Sequence, residues 1–290
     1  PYTATLGFGG APGAKTVTET WNGSSWTEVA DLNDGRRYIS GIGATNTAAI
    51  AFGGYDGSNY IDSCELWNGS AWTEVADLAT ARLNSAGGSG TATAAMFAGG
   101  GTPSVTAVSE EWSFSGLDPS TTPAADYSDA ITGQMYYNST TGQFKAIKTG
   151  GAPIGTWASG ASINTARAGL SGNGSTTSAV IFGGTANQAV TESYDGSSWT
   201  TLPASLPANQ GAGAGCGTQP SGITFGGDPG SPPAAQTNEW NGSAWTEVND
   251  MNTGRMRLAS ADTSASDLIA IAGGPPNTSN TENFNGTSWT

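Results

Sequence analysis

The chain contains no histidine, and this absence limits the chemistry that its other residues can perform. Without an imidazole there is no His-based catalytic triad, no imidazole metal ligand and no ordinary general base that titrates near neutral pH. The 23 acidic residues could supply the carboxylate pair of a glycosidase, but no pair stands out from the sequence. The segment Asp56-Gly57-Ser58-Asn59 with Asp62 offers oxygen ligands for calcium, although it is more typical of a solvated turn. The sequence therefore predicts a protein that is not an enzyme and that holds no metal and no cofactor.

Arginine and glutamate recur at fixed positions relative to the tryptophans. Four arginines each lie ten residues after a tryptophan, at Arg36, Arg82, Arg167 and Arg255, and Asn209 occupies the same position once. Glutamates precede an aromatic residue by two positions at Glu19, Glu65, Glu110, Glu192 and Glu282, while Glu239 is shifted by one. Such charges could line a central pocket for an anionic sugar. We favour structural Arg–Glu pairs, because buried charges require partners and these charges recur with the repeat.

Two further patterns show that most of the chain is an internal repeat. Gly-Gly doublets occur at residues 9–10, 53–54, 99–100, 183–184, 226–227 and 273–274. Each doublet is followed by two aromatic residues, the second of which is Trp26, Trp72, Trp157, Trp199, Trp245 or Trp289. The two aromatics are five residues apart except for Trp112 and Trp157, which are 45 apart, so one insertion interrupts a period of roughly 44. Because the tryptophans recur at one place in every unit, we interpret them as packing between units rather than as ligand contacts.

The composition of the repeat favours strands over helices. Forty-four glycines and 14 prolines disfavour helices. Short apolar runs bounded by turn residues, such as residues 48–52, are typical of strands. Asn68-Gly69 and its counterparts predict tight turns, and this geometry also explains four of the seven Asn-x-Ser/Thr sequons. Small sheets that repeat with this period indicate a β-propeller.

The repeat unit resembles the kelch repeat. A Gly doublet closes a hydrophobic strand and is followed by Glu-x-aromatic, a turn and Trp, most closely in residues 191–203. The resemblance implies an all-β fold, a kelch-type β-propeller of six four-stranded blades with a short β-hairpin insertion in the third blade. It divides the chain into a propeller of residues 1–115 and 156–290 and an inserted connector plus hairpin of residues 116–155. Only five innermost strands can be counted, so we expect the sixth to lie in polypeptide outside this sequence.

The loops that follow the Gly doublets are the most variable part of the repeat. They cover residues 11–15, 55–61, 101–106, 185–189, 228–236 and 275–279. In a four-stranded meander all of these loops emerge on one face, and variable loops on a fixed scaffold are a common place for recognition. The candidate binding residues are therefore Tyr55, Asp56, Asn59, Tyr60 and Asp228. The alternative is that these are surface loops that tolerate sequence variation and have no binding role.

The insertion predicts a second interaction surface. Residues 133–147 alternate apolar and polar side chains around an Asn-Ser-Thr-Thr-Gly turn, which predicts a β-hairpin. This segment resembles short hairpins in tail-fibre and other virion proteins of bacteriophages, particularly marine ones. The resemblance implies a virion or extracellular location, with other virion subunits as partners of residues 116–155 and a host glycan or receptor as a possible ligand of the loops. The alternative is a secreted bacterial kelch lectin or a glycan-acting propeller enzyme.

Charge and cysteine content exclude several further partners. A net charge of −14 repels nucleic acid and anionic membrane surfaces, which are bound by clustered lysine and arginine. No run of 18 apolar residues is present, so we predict no membrane-spanning helix. Cys64 and Cys216 fall in different repeat units, and we expect two buried free thiols rather than a disulfide.

Overall fold

The predicted fold class is confirmed, because six small antiparallel sheets form a six-bladed β-propeller. The computed structural model describes residues 4–83, 86–117, 135–138, 143–146, 153–184, 188–230, 232–261 and 264–290. These residues contain strands and turns but no α-helix, and hence no helical segment that could cross a lipid bilayer. The short apolar runs and turn residues of the sequence account for this all-β architecture.

Each blade takes consecutive strands from the chain. Blade 1 contains β1 (Thr5–Phe8), β2 (Thr18–Trp21) and β3 (Trp26–Glu28). Blade 2 contains β4 (Ser40–Thr45), β5 (Ala48–Phe52), β6 (Cys64–Trp67) and β7 (Trp72–Val75). Blade 3 and its additions contain β8 (Ala86–Thr91), β9 (Ala94–Ala98), β10 (Gly101–Thr102), β11 (Ser104–Val105), β12 (Ser109–Leu117), β13 (Met135–Asn138), β14 (Gln143–Ala146) and β15 (Pro153–Ser159). Blade 4 contains β16 (Ser171–Ser175), β17 (Ser178–Phe182), β18 (Thr191–Tyr194) and β19 (Trp199–Thr201). Blade 5 contains β20 (Ala214–Thr218), β21 (Ser221–Phe225), β22 (Thr237–Trp240) and β23 (Trp245–Val248). Blade 6 contains β24 (Ala259–Ala261), β25 (Leu268–Ile271) and β26 (Thr281–Phe284).

The strands of each blade run as an antiparallel meander from the centre outward. Blades 2 to 5 have four strands, and the inner strands β4, β8, β16, β20 and β24 lie side by side around the axis. In blade 6, Trp289 forms a bridge to Phe284 and marks the position of the outer strand. In blade 1, β1 pairs only with β2 among the described strands, which agrees with the count of five innermost strands made from the sequence.

The meander places two kinds of connection on the same face, which we call the loop face. These are the loops between the second and third strands of each blade and the connectors that lead from one blade to the next. The two kinds meet in short bridges, such as Arg37 with Tyr55 and Gly211 with Asp228. The variable loops therefore share one surface with the start of every inner strand.

The insertion leaves blade 3 from the opposite face. The ladder between β12 and β15 continues to the pair Leu117–Pro153, so the blade extends a few residues into the range 116–155 that the sequence assigned to the insertion. The two predicted hairpin strands are present, because β13 pairs with β14 in register from Met135–Ala146 to Asn138–Gln143. The predicted connector of residues 118–134, the turn of residues 139–142 and Lys148 lie outside the described residues.

The recurring tryptophans pack between neighbouring blades. Trp72 of blade 2 meets Phe8 of blade 1 edge-on at 4.9 Å between ring centroids, and its indole N–H donates to Thr18 Oγ1 at 3.0 Å. Trp289 repeats this arrangement on Phe225 and Thr237, at 4.9 Å and 3.1 Å. Both rings remove apolar area from water and satisfy their polar N–H at the same time.

The Gly doublets turn the chain at the loop face, but the sixth doublet is offset from its expected position. Gly53 and Gly54 have φ angles of 61° and 111°, in the region that favours glycine. Their counterparts in blade 6 are Ala272, with φ 55°, and Gly273, with φ 101°, rather than Gly273 and Gly274. The backbone bridges fix this assignment. Tyr55, which follows the doublet of blade 2, is bridged to Arg37, and Gly274 is bridged to Met256 in the same way, so Gly274 corresponds to Tyr55 and not to a doublet glycine.

Candidate functional site

The four recurring arginines are buried in ion pairs. Each arginine precedes an inner strand, and its guanidinium reaches the third strand of the same blade. The pairs are Arg36–Glu65, Arg82–Glu110, Arg167–Glu192 at 2.9 Å and Arg255–Glu282 at 2.7 Å. All four arginines are at most 2% exposed. Burial lowers the pKa of Arg82 and of Arg167, while the partner carboxylates oppose this shift. Arg255 and Glu282 also contribute to the lining of a depression in blade 6, but all four arginines are buried and paired, which supports the structural interpretation of these charges.

The second carboxylate oxygen of each glutamate binds the connector itself. It accepts a hydrogen bond from the backbone N–H three residues before the arginine. The donors are Asn33, Ala79, Asn164 and Asn252, at distances of 2.8, 2.8, 2.7 and 2.7 Å. The carboxylate is thus solvated by protein groups, which a buried charge requires.

Blade 5 replaces this whole arrangement with neutral groups. Gln210, not Asn209, occupies the arginine position, because its carbonyl accepts from Gly184 N at 2.8 Å as Arg82 O does from Gly54 N. The expectation for Asn209 was wrong because the connector from Trp199 is one residue longer than the others. Asn238 occupies the glutamate position opposite Thr224. Pro207 stands three residues before Gln210 and has no N–H to donate, so a carboxylate here would lack both of its partners.

Three tyrosine rings and one guanidinium form a cluster on the loop face, which we call the tyrosine–arginine cluster: Arg37, Tyr38, Tyr55 and Tyr60. The Arg37 guanidinium lies 5.2 Å from the ring centroid of Tyr55 and 5.5 Å from that of Tyr38. The Tyr55 and Tyr60 rings meet edge-on at 5.7 Å. Paired backbone hydrogen bonds between Arg37 and Tyr55, of 3.0 and 2.8 Å, fix the connector against the loop. Tyr38 is 36% exposed and Tyr60 37% exposed, so ring faces remain available to a ligand.

Two of the predicted binding residues shape the loop that carries these rings. The Asp56 carboxylate accepts backbone N–H groups from Asn59 and Ser58, both at 2.6 Å, and the Asn59 amide donates to it at 3.4 Å. These hydrogen bonds lower the pKa of Asp56, with the bond from Asn59 N–H as the largest cause. Asp56 and Asn59 therefore lie beside Tyr55 and Tyr60 and hold the turn between them.

Asp228 lies apart from the other four predicted residues. It is on the loop face of blade 5, three blades away from blade 2 and hence across the axis of a six-bladed ring. Its carboxylate accepts from Gly230 N at 2.8 Å within its own loop. The structure brings together Tyr55, Asp56, Asn59 and Tyr60 but does not add Asp228 to them.

Sequence reasoning missed Arg37 and Tyr38. Arg37 follows the buried Arg36 directly, and no other arginine of the repeat is followed by a second basic residue. That doubling was the available signal. Tyr38 carried no such signal, because its φ of 54° and its exposure on the loop face follow from the fold.

The remaining chemistry of the described residues is sparse. They contain no group of three or more cysteine, aspartate or glutamate side chains arranged to hold a metal ion. Cys64 and Cys216 are both buried and form no disulfide, as predicted, and burial raises the pKa of the Cys64 thiol to about 12. A shallow depression of about 160 Å³ lies on the loop face of blade 6, lined by Thr253, Gly254, Pro275, Pro276 and Thr278 among others. It is smaller than the roughly 300–1,000 Å³ that encloses a drug-sized ligand.

The fold and its repeated ion pairs place the chain in the class of six-bladed β-propellers. No known protein-family profile matches the chain, and no curated protein sequence matches it. What the propeller does must therefore be argued from its own surfaces.

Proposed function

We propose that the protein is a non-enzymatic recognition module that binds a carbohydrate through the tyrosine–arginine cluster. The observation that carries this proposal is a cluster of three tyrosine rings and one arginine on a variable loop face, with Tyr38 and Tyr60 exposed. A tyrosine ring has an apolar face and a polar hydroxyl, which suits the apolar C–H face and polar edge of a sugar ring. The scaffold below the rings is fixed by backbone hydrogen bonds, so little conformational entropy is lost on binding.

The absence of catalysis is part of the proposal. Asp56 is engaged in the turn of its loop, and four of the repeated glutamates are engaged in buried ion pairs. A shallow surface also provides little exclusion of water around a bound sugar. Turnover of any bound saccharide would contradict this part of the proposal.

A screen of immobilised glycans tests the binding. Tyr55→Ala and Tyr60→Ala should each weaken binding of the recognised glycan by at least about tenfold, as expected for aromatic residues at the centre of an interface. Val105→Ala is the matched control, since Val105 is an exposed apolar side chain on a different loop of the same face. Equal binding by all three variants would exclude the cluster as the site.

We place this kelch-like propeller on a bacteriophage particle, attached through the insertion in blade 3. The hairpin of β13 and β14 leaves the face opposite to the cluster, so both surfaces can be occupied at once. An antibody against the propeller that labels purified phage particles would support this location. Detection only in culture supernatants of uninfected bacteria would favour the alternative, a secreted bacterial lectin.

A further inference from the structure

Three basic residues remain after the structural ones are set aside. The chain has nine lysines and arginines, of which four arginines are buried in ion pairs and two lysines, Lys145 and Lys148, belong to the insertion. The three that remain are Lys15, Arg37 and Arg257. All three lie on the loop face, although the chain as a whole carries a net charge of −14.

Blade order places these three residues in neighbouring parts of the ring. Lys15 lies in the loop of blade 1 and is bridged to Arg36, so it is next to the connector that carries Arg37. Arg257 lies in the connector between blades 5 and 6. Because blade 6 adjoins blade 1 in a six-bladed ring, the three cations flank the same pair of blades.

Arg257 occupies the same structural position as Tyr38. Each residue lies two positions after a buried arginine and has a φ of 54°. Arg257 N donates to Ala212 O, and Ala212 N donates to Gly169 O, both at 2.7 Å, so this position links the connectors that precede blades 4, 5 and 6. Glycine and alanine occupy this position at residues 169 and 212, whereas Tyr38 and Arg257 provide its large exposed side chains.

None of the three cations is neutralised by the part of the chain that the structure describes. The ion pairs found there involve only the buried arginines. Arg37 Nε is buried between the tyrosine rings and has no hydrogen-bond partner among the described atoms.

We infer that the ligand of the loop face is an acidic saccharide, whose carboxylate groups are bound by Arg37 and Arg257 with Lys15 beside them. This inference rests on the proposed function and specifies its ligand class. Guanidinium groups bind carboxylates with paired, charge-assisted hydrogen bonds. The depression of blade 6, with Thr253 and Thr278 in its lining beside the paired Arg255 and Glu282, provides a place for one polar ring of an extended chain.

Other polyanions fit these residues less well. Nucleic acid would bring a phosphate at every nucleotide to a protein of net charge −14 that offers three basic residues on its loop face. An acidic peptide offers carboxylates but no flat C–H ring face for the exposed rings of Tyr38 and Tyr60. The acidic peptide is therefore an outcome to be tested rather than the expected ligand.

The test compares matched saccharides on the intact protein. Oligosaccharides that differ only at C6, glucuronate against glucose and galacturonate against galactose, are arrayed together with oligoglutamate. The acidic member of at least one pair should bind, its matched neutral sugar should bind at least about tenfold more weakly, and binding should weaken as salt is raised. Arg37→Gln and Arg257→Gln should each reduce binding about tenfold, while Lys145→Gln, which removes a cation from the insertion, should not.

The outcomes separate the two proposals. Equal binding of acidic and neutral members, still lost with Tyr60→Ala, would overturn the acidic class and leave the recognition site standing. Binding of oligoglutamate alone would replace the saccharide by a peptide. No binding to any member would count against both proposals, because the array then contains nothing that the loop face recognises.

Discussion

Arg36 joins two blades, because its backbone carbonyl contacts blade 1 and its side chain contacts blade 2. Its carbonyl accepts a hydrogen bond from Gly10 N of blade 1 at 2.8 Å, and its guanidinium pairs with Glu65 of blade 2, which lies 29 residues further along the chain. The same double contact recurs at Arg82, Arg167 and Arg255. The inter-blade connections therefore depend on charges that are completely enclosed.

Removing one charge from such a pair should destabilise the protein strongly. Glu65→Gln leaves the Arg36 guanidinium buried without its counterion, and we expect a loss of about 3–5 kcal/mol in the free energy of unfolding. Glu19→Gln is the matched control, because Glu19 has the equivalent place in blade 1 but is exposed and has no ion pair among the described residues. Its effect should be within about 0.5 kcal/mol. Urea unfolding followed by tryptophan fluorescence measures both, and equal effects would contradict the importance of the pair.

Replacing Ala272 by glycine should stabilise the folded protein. Ala272 has a φ of 55°, where the other five blades carry glycine, and a left-handed conformation costs an L-residue about 1–2 kcal/mol. Part of the gain is offset by the greater freedom of glycine in the unfolded chain, so Ala272→Gly should stabilise by about 0.5–1 kcal/mol.

The reverse change at the equivalent position should be harmful. A Cβ on Gly53 would lie 2.6 Å from Arg82 O, so Gly53→Ala should destabilise by about 2 kcal/mol. Thermal unfolding of the two variants gives the comparison, and a shift of the same sign in both would refute the argument from backbone conformation.

Asn173 and Gly222 should be energetically coupled across the interface of blades 4 and 5. Asn173 is 2% exposed, its amide has no hydrogen-bond partner among the described atoms, and it occupies the space where a Cβ on Gly222 would lie. Gly222→Ala should cost about 1–3 kcal/mol, whereas the same change in an Asn173→Ala background should cost less than about 0.5 kcal/mol. A double-mutant cycle measures this coupling. An unchanged cost would mean that the backbone, not the amide, limits the space.

The turn at Asp195 should make stability depend on pH at the acidic end. The Asp195 carboxylate accepts N–H groups of Ser198 and Ser197, at 2.8 and 2.9 Å, and these bonds lower its pKa from 3.8 to about 2. The folded state thus binds this proton less tightly than the unfolded chain does. The contribution is complete above about pH 4 and is lost as the pH falls through about 2.

Asparagine provides the control for this titration. Asn68 forms the same turn in blade 2, with its Oδ1 accepting from Ser70 N and Ala71 N at 3.0 Å each. Asp195→Asn should therefore keep the turn while removing its pH dependence. The difference in unfolding free energy between the two proteins should shrink from pH 4 to pH 2, and a difference that does not vary with pH would show that the carboxylate is not held by these bonds.

Most of the fold was predictable because it depends on patterns that repeat. A tryptophan that recurs six times at the same place in the unit defines a period that no single substitution conceals. The errors arose where one blade departs from the others. The sixth doublet was misplaced because Ala272 adopts the positive φ that glycine has in the other blades. Asn209 was assigned in place of Gln210 because the connector before blade 5 is one residue longer than the others.

The candidate site was less predictable, because its members come from different repeat elements. Tyr55 and Tyr60 were identified from a variable loop, but the neighbouring connector that adds Arg37 and Tyr38 carries no periodic signal. Asp228 resembled the other loop residues in type, yet the ring places it three blades away.

The sequence by itself determined the number of units, their strand order and the charged and aromatic residues that recur, since each of these is a local pattern set by a fixed spacing. Only the tertiary structure decided which residues meet on the loop face. Those contacts depend on the closure of a ring and on positive φ angles in its connectors, and both arise from packing between distant segments rather than from the residues beside them in the chain.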